Sequence, residues 1–285
     1  MRYEAPESLD AAVGLLAKEP GEARVLAGGT DLLVQLKTDL IAPALVVDIK
    51  RIKEVRNITK EAGGFRVGAA VTGAELKEHP ELKKVWPGVV EGANLIGSTQ
   101  VQGRATMGGN LCNGSPAADS VPALIAAGAI ATVIGPKGRR DVAVEDVMVG
   151  PRKLSLAKGE IIVSFLLPAR PKGASDSYIR FIPRTEMDIA VVGASVALAT
   201  DAKGIITAAR VGLGAVAARP LLVKPAADAI IGSSLDGAAL DRLAAAASSA
   251  CQPIDDKRGT RDFRIKVAGV LARRAAETAY KRARA

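Results

Sequence analysis

Histidine occurs once in this chain of 285 residues, cysteine twice, and aromatic residues make up 3% of it. Each scarcity excludes something. Cys112, Cys251 and His79 cannot supply the four cysteines that an iron–sulfur cluster usually takes, nor the four ligands of a structural zinc site. A Ser-His-Asp arrangement would have to use His79, which sits in KEHPEL just before Pro80, in what reads as a solvated loop. Cys112 reads either as a small buried hydrophobe or as a residue beside a ligand, and nothing marks it as a nucleophile. No run of about 18 apolar residues is present to span a bilayer. The opening MRYEAPESLD lacks the basic and then apolar stretches of a signal peptide, so a cytoplasmic location is expected. The paucity of aromatics also leaves little to stack on bases. The net charge of +9 is crowded between Lys257 and Arg284, and we read it as a solvated or subunit-docking face rather than a nucleic-acid site.

What the chain has is an ordinary globular composition, 48% hydrophobic and 24% charged, and enough length for one large domain or two to three small ones. It also has two glycine-rich stretches. One is AGGTDLL, from Ala27 to Leu33; the other is TMGGNLCNGSPAADSVPAL, from Thr106 to Leu124. Paired glycines let a backbone approach a ligand with no side chain in the way and tolerate a positive φ. Asn110, Asn113, Ser115 and Asp119 surround the second pair with short polar side chains. Either stretch alone reads as a tight turn. Together they suggest one extended, phosphate-bearing ligand gripped at two places.

The local patterns place these stretches. Ser8 caps a helix through about Ala17, with Leu9, Ala12, Val13 and Leu16 on one face. A strand from Arg24 to Ala27 then meets the turn at Gly28 and Gly29, and a helix starting at Thr30 offers free backbone N–H groups and its dipole to an anion. Leu45 to Ile49 is the next strand. Thr72 and Glu75 have capping-box spacing, Trp86 to Ile96 is an apolar helix stopped by Gly97, and the second glycine stretch reads as an irregular loop of nearly twenty residues, long enough to imply a function. Strands follow at Ala131 to Ile134, Arg140 to Val144 and Ile161 to Leu167, then a connection at Ala169 to Ser175. Val191 to Ala199 and Ile205 to Leu213 pair across a turn at Asp201 to Gly204, and helices cover Ala238 to Ala250 and Asp262 to Arg284. Runs of strands followed by helices argue for α+β. The divisions expected are 1–57, 58–175 and 176–285. Gly212, Gly214 and Ala217 satisfy a dinucleotide fingerprint, but Pro220 leaves little room for the helix it needs, so these glycines read as a tight strand ending.

The two glycine stretches, in this order and spacing, resemble the FAD-binding signatures of the medium subunit of molybdenum hydroxylases, the group that includes xanthine dehydrogenase, carbon monoxide dehydrogenase and 4-hydroxybenzoyl-CoA reductase. GEIIVSFLLP resembles the end of that family's FAD-binding part, and RGTRDFRIKVAGVLARRA its C-terminal helix. The resemblance implies a two-subdomain FAD-binding fold of the vanillyl-alcohol oxidase (PCMH) type, plus a C-terminal α+β domain. By position, Ala27, Gly28, Gly29, Thr30, Asp31 and Leu32 would take the FAD pyrophosphate. Thr106, Gly108, Gly109 and Asn110 would also hold the cofactor, and Asp119 would reach its ribityl or ribose hydroxyls. Ile96 and Ile162 would line the pocket, with Tyr178 and Arg180 beside the isoalloxazine. NGSPAAD runs without the cysteine-bearing insertion of the benzoyl-CoA reductase branch, so no extra cluster is expected.

The activity implied is electron transfer through non-covalent FAD, with no catalytic or metal-ligating residue on this chain. A molybdenum-cofactor large subunit would oxidise the substrate, a small subunit with [2Fe-2S] clusters would relay electrons, and an external acceptor would take them from the flavin. Pairs of such heterotrimers are expected, with no nucleic acid and no transmembrane segment. A self-sufficient FAD-dependent oxidase is the alternative, and it would need a substrate base near the ring. A nucleotide- or nucleic-acid-binding module would explain the basicity but not the paired glycine signatures.

Overall fold

The computed structural model describes residues 1–285. Its first unit contains β1 (Arg2–Glu4), α1 (Leu9–Lys18), β2 (Ala23–Leu26), α2 (Leu32–Lys37) and β3 (Leu45–Asp48), followed by a 3-10 turn at Lys53–Arg56. Ser8 Oγ accepts the Ala11 N–H at 3.2 Å, a cap worth about 1 kcal/mol, and Leu9, Ala12, Val13 and Leu16 are buried as the pattern required. The strands form a parallel sheet in the order β1-β3-β2. All four residues of β3 are buried because it is central and covered. That leaves β2 as a free edge.

A second sheet begins with β4 (Ile58–Glu61) and β5 (Gly64–Gly68). Six short helices then intervene: α3 (Gly73–Glu78), α4 (Leu82–Val85), α5 (Pro87–Asn94), α6 (Thr99–Gln102), α7 (Met107–Cys112) and α8 (Ser120–Ala127). Thr72 and Glu75 do form the capping box of α3. The second glycine stretch is not the irregular loop its composition suggests. Thr106 caps α7 through the Gly109 N–H, and α8 is buried along its whole length. The sheet resumes with β6 (Ile130–Gly135) and β7 (Gly138–Ala143), continues past α9 (Val144–Val147) and the small ribbon of β8 (Met148–Gly150) and β9 (Lys153–Leu154), and is closed by β10 (Ile161–Leu167). Its order is β4-β5-β10-β6-β7, all antiparallel, so the last strand made is the central one. Phe165 and Leu167 on that strand anchor a core shared with Trp86, Leu111 and Leu124.

The third sheet is β11 (Ala174–Phe181), β12 (Val192–Thr200), β13 (Ile206–Gly214) and β14 (Leu221–Leu222), antiparallel in that order. It is followed by α10 (Lys224–Asp228), α11 (Gly237–Ser249) and α12 (Arg261–Ala283). Every residue of β12 is buried, since α12 covers one face of the sheet and α5 and α8 the other. The third sheet is therefore packed directly on the helices of the second unit. Gly212 and Gly214 explain themselves here: a β-carbon on Gly212 would overlap the Pro122 carbonyl oxygen, and one on Gly214 would lie 2.7 Å from the Pro122 ring. The apparent dinucleotide fingerprint is a packing surface for α8. The connecting segment is shorter than expected, because Ser175 already belongs to β11.

Part of the charge on the basic helix α12 is used inside the fold. Arg264, 3% exposed, donates to the Val191 carbonyl at 2.7 Å and to Asp256 at 2.7 Å. Arg273 pairs with Asp241 at 2.6 Å, and Arg282 reaches the Asp176 carbonyl at 2.9 Å and Glu91. These three arginines hold the third unit together and to the second, while Arg261, Lys266, Arg274 and Lys281 of the same helix are exposed.

Candidate functional site

The two glycine stretches meet. A β-carbon on Gly28 would overlap the Arg104 carbonyl oxygen and lie 2.8 Å from its carbonyl carbon, so the segment before α7 is laid directly on the turn after β2. The other side of that segment is held by the stretch that leads from β5 into α3. Gly73 N–H donates to the Ala105 carbonyl at 2.9 Å, Gly108 N–H to the Ala69 carbonyl at 3.2 Å, and Thr72 bridges Thr106. A β-carbon on Gly108 would sit 2.5 Å from the Ala69 oxygen. Close backbone packing is what Gly28 and Gly108 are for. Of the four paired glycines, only Gly29 has a positive φ, at 82°; Gly114, later in the second stretch, has one of 66°.

Between the two stretches runs a cleft of about 1200 Å³, counting the space open to solvent. Its wall includes Ala27, Gly28, Gly29, Thr30, Asp31 and Leu32 from one motif, Thr106, Gly108, Gly109 and Asn110 from the other, and Ile96 and Ile162. These expected residues are thus brought together. The cleft continues along the free edge β2, past Ala23, Arg24 and Val25, to Ile49, Leu154, Leu156, Glu160 and Ile161. Sequence reasoning missed this apolar end, because it is assembled from four separated segments with no motif among them. It also missed Gln35, which lines the cleft and donates to Asn113 Oδ1 at 3.0 Å, joining α2 to the second motif.

The wall fits a dinucleotide on three counts. The backbone N–H groups of Gly28, Gly29, Thr30 and Asp31 have no hydrogen-bond partner within the chain, and consecutive free amides are a site for phosphate oxygens. The helix dipole expected to assist them is small, because α2 has six residues and begins at Leu32 rather than Thr30. A β-carbon on Gly109 would touch only its own cap, Thr106 Oγ, at 3.0 Å, so this position opens on the cleft. Finally, the wall is apolar at one end and rich in amides and hydroxyls at the other, as a ligand with a flat ring system and a pyrophosphate requires.

The titratable groups of the wall are few. Partial removal from water raises the Asp31 carboxyl above its usual range. Glu160 is held low by the Arg140 guanidinium, 2.7 Å away. Cys112 is exposed and lines the cleft, and the surrounding protein pushes its thiol up to about 12. His79 is elsewhere: its Nδ1 accepts the Leu82 N–H at 3.1 Å and its ring meets Phe65 edge to face.

Three expected contacts are not on the wall. Asp119, Tyr178 and Arg180 lie behind it and meet one another. Tyr178 Oη donates to Asp119 Oδ1 at 3.0 Å, and Arg180 Nη1 donates to Asp119 Oδ2 at 2.8 Å. All three side chains are buried. Burial pushes the Asp119 carboxyl up to about 6, against the pull of the Arg180 guanidinium and the Tyr178 hydroxyl. The reason for the displacement is that α8 packs its start under β11, which turns Asp119 toward the third sheet.

Known proteins match this chain along nearly its whole length. Residues 1–170 match the FAD-binding domain of molybdopterin dehydrogenases, and residues 177–279 match the C-terminal domain of carbon monoxide dehydrogenase flavoproteins. The carbon monoxide dehydrogenase medium chain of Afipia carboxidovorans is 34% identical over 282 residues, 99% of this chain and 97% of that one. The xanthine dehydrogenase FAD-binding subunit of Escherichia coli O157:H7 is 30% identical over 274 residues, 95% of this chain and 93% of that one. Among solved structures, a Cu,Mo-containing carbon monoxide dehydrogenase in its cyanide-inactivated form has a chain that superposes with a TM-score of 0.94 at 35% identity, covering 99% of this chain and 98% of that one. The α+β fold with its FAD-binding part and C-terminal domain is therefore shared, and the chain belongs to the family of FAD-binding medium subunits of molybdenum hydroxylases.

Proposed function

We propose that this chain is the FAD-carrying electron-transfer subunit of a heteromeric molybdenum-containing dehydrogenase. The observation that carries the reading is the run of four unpartnered amides, Gly28 to Asp31, on a cleft whose opposite wall is the side-chain-free face of Gly109. The amides bind the pyrophosphate, the Thr106 and Asn110 segment holds the chain that follows it, and Ile96 and Ile162 exclude water. When bound, FAD supplies both one-electron and two-electron chemistry. The wall contains no histidine, and its one firmly ionised acid, Glu160, is occupied by Arg140. Substrate oxidation therefore belongs to a molybdenum subunit, and the relay to a [2Fe-2S] subunit. FAD is held without a covalent bond, since His79 is remote and the Cys112 thiol stays protonated.

We assign the three sheets to three units, 1–57, 58–175 and 176–285, place the protein in the cytoplasm, and expect the heterotrimer to pair into a dimer. The test is to isolate the native protein. It should elute as a heteromer containing molybdenum, iron and flavin, whereas the chain alone should bind FAD and leave it oxidised with any organic substrate. Substrate-dependent flavin reduction by the isolated chain would favour a self-sufficient oxidase instead.

A further inference from the structure

Two buried arginine–aspartate pairs join β11 to the ends of α5. Near the start of the strand, Arg170 Nη1 donates to Asp176 Oδ1 at 2.8 Å and to the Val85 carbonyl, just ahead of α5. Near its end, Arg180 Nη1 donates to Asp119 Oδ2 at 2.8 Å and to the carbonyl of Leu95, the C-cap of α5, at 2.7 Å. The side chains are 9% and 1% exposed in the first pair, 5% and 10% in the second. The two pairs have the same chemistry and nearly the same burial.

They differ in what lies beyond them. Leu95 precedes Ile96, which is on the wall of the cleft. Asp119 precedes Ser120, whose N–H and hydroxyl both donate to Asn110 Oδ1, at 3.0 and 2.7 Å, and Asn110 is also on the wall. Val85 and Asp176 have no such neighbours. We propose that Arg180 is a positioning residue for the flavin. By holding the Leu95 carbonyl and the Asp119 carboxylate with one guanidinium nitrogen, it fixes Ile96 and Asn110 from a strand that does not itself line the cleft. The second oxygen of Asp119 is taken by the Tyr178 hydroxyl, so the carboxylate has no freedom to compensate if Arg180 is lost. The C-terminal unit thus sets the shape of a cofactor site built by the other two.

This inference rests on the FAD reading, and one set of variants separates them. The full-length chain is stripped of flavin and titrated with FAD, and the midpoint potential of the bound flavin is measured for wild type, Arg180→Ala, Arg180→Lys and Arg170→Ala. Arg180→Ala should raise the FAD dissociation constant about tenfold or more and shift the potential. Arg180→Lys should recover part of both, since an ammonium keeps the charge but not the fixed fork geometry. Arg170→Ala should lower the melting temperature as much as Arg180→Ala while leaving both flavin quantities at their wild-type values. Wild-type values in Arg180→Ala, or in Arg180→Lys should the alanine variant not fold, overturn the inference, as does an equal effect of Arg170→Ala. Failure of the wild-type chain to bind FAD at all overturns the function reading instead.

Discussion

The carbonyl of Arg104 lies where a side chain on Gly28 would begin, so the turn after the second strand and the segment before the seventh helix are in backbone contact. Gly28 is consequently a folding position as well as a residue of the proposed cofactor cleft. Gly28→Ala forces the two motifs apart and should destabilise the protein by about 1–3 kcal/mol, the usual range for overpacking, with loss of FAD. Thermal unfolding of the flavin-free protein measures the first effect; unchanged stability would show that the junction opens freely.

Gly109 behaves differently. Its β-carbon direction meets only Thr106 Oγ, and its φ is not positive. Gly109→Val should therefore keep the fold, with a melting temperature within a few degrees of wild type, and abolish FAD binding by filling the cleft. Stoichiometric flavin in the purified variant would mean that the ligand lies elsewhere.

Non-covalent binding has a simple check. Acid precipitation should leave the yellow colour in the supernatant, and colour in the pellet would point to Cys112 as an attachment site.

The buried Asp119 carboxyl, pushed up to about 6, makes stability depend on pH in an unusual direction for an acid. Its unfolded value is about 3.9, so the folded chain binds the proton more tightly. The resulting stabilisation is fully present below about pH 4, is lost as pH rises to about 6, and changes no further above that. The linkage amounts to about 3 kcal/mol at most. Melting curves from pH 4 to 7.5 for wild type and Asp119→Asn should show the wild type losing stability relative to the variant as pH rises. A constant difference would place the Asp119 titration at its ordinary value.

Arg264 tests the nature of the basic C-terminal helix. Removing it leaves the buried Val191 carbonyl without its donor, while Asp256 is exposed and keeps the Arg258 N–H, and Arg264→Ala should cost about 1–3 kcal/mol, as expected for a buried polar group left unsatisfied. A surface charge would cost almost nothing, and chemical denaturation distinguishes the two.

The sequence was most informative where the signal was local. Ser8, Thr72 and the apolar faces behind them locate helices because a cap and a period of 3.6 are properties of neighbouring residues. The two glycine motifs located the polar half of the cleft for the same reason. Residues 106 to 124 look like a loop because glycine and asparagine are weak helix formers, yet Gly108 is helical. The close approach of Ala69 selects a glycine there and tertiary packing overrides propensity. The resemblance implies that Asp119 reaches the ribityl or ribose hydroxyls, and in the structure its carboxylate meets two residues of the third sheet. Its partners, Tyr178 and Arg180, are 59 and 61 residues away, and nothing near Asp119 announces them. The apolar end of the cleft was illegible for a similar reason, since Leu154, Leu156 and Ile49 come together only through the sheet order.

That order also governs when the site can exist. The strand from Ile161 to Leu167 is the last of the second sheet to be made and the one at its centre, pairing with strands on both sides. While the chain emerges from the ribosome, both glycine motifs are exposed long before the gap between those neighbours can be filled, and Glu160, Ile161 and Ile162 are missing from the cleft wall until it is. Capture of the flavin in the proposed cleft is accordingly expected late in the life of the nascent chain, and a polypeptide ending short of residue 160 carries both signatures without Glu160, Ile161 and Ile162 of the wall.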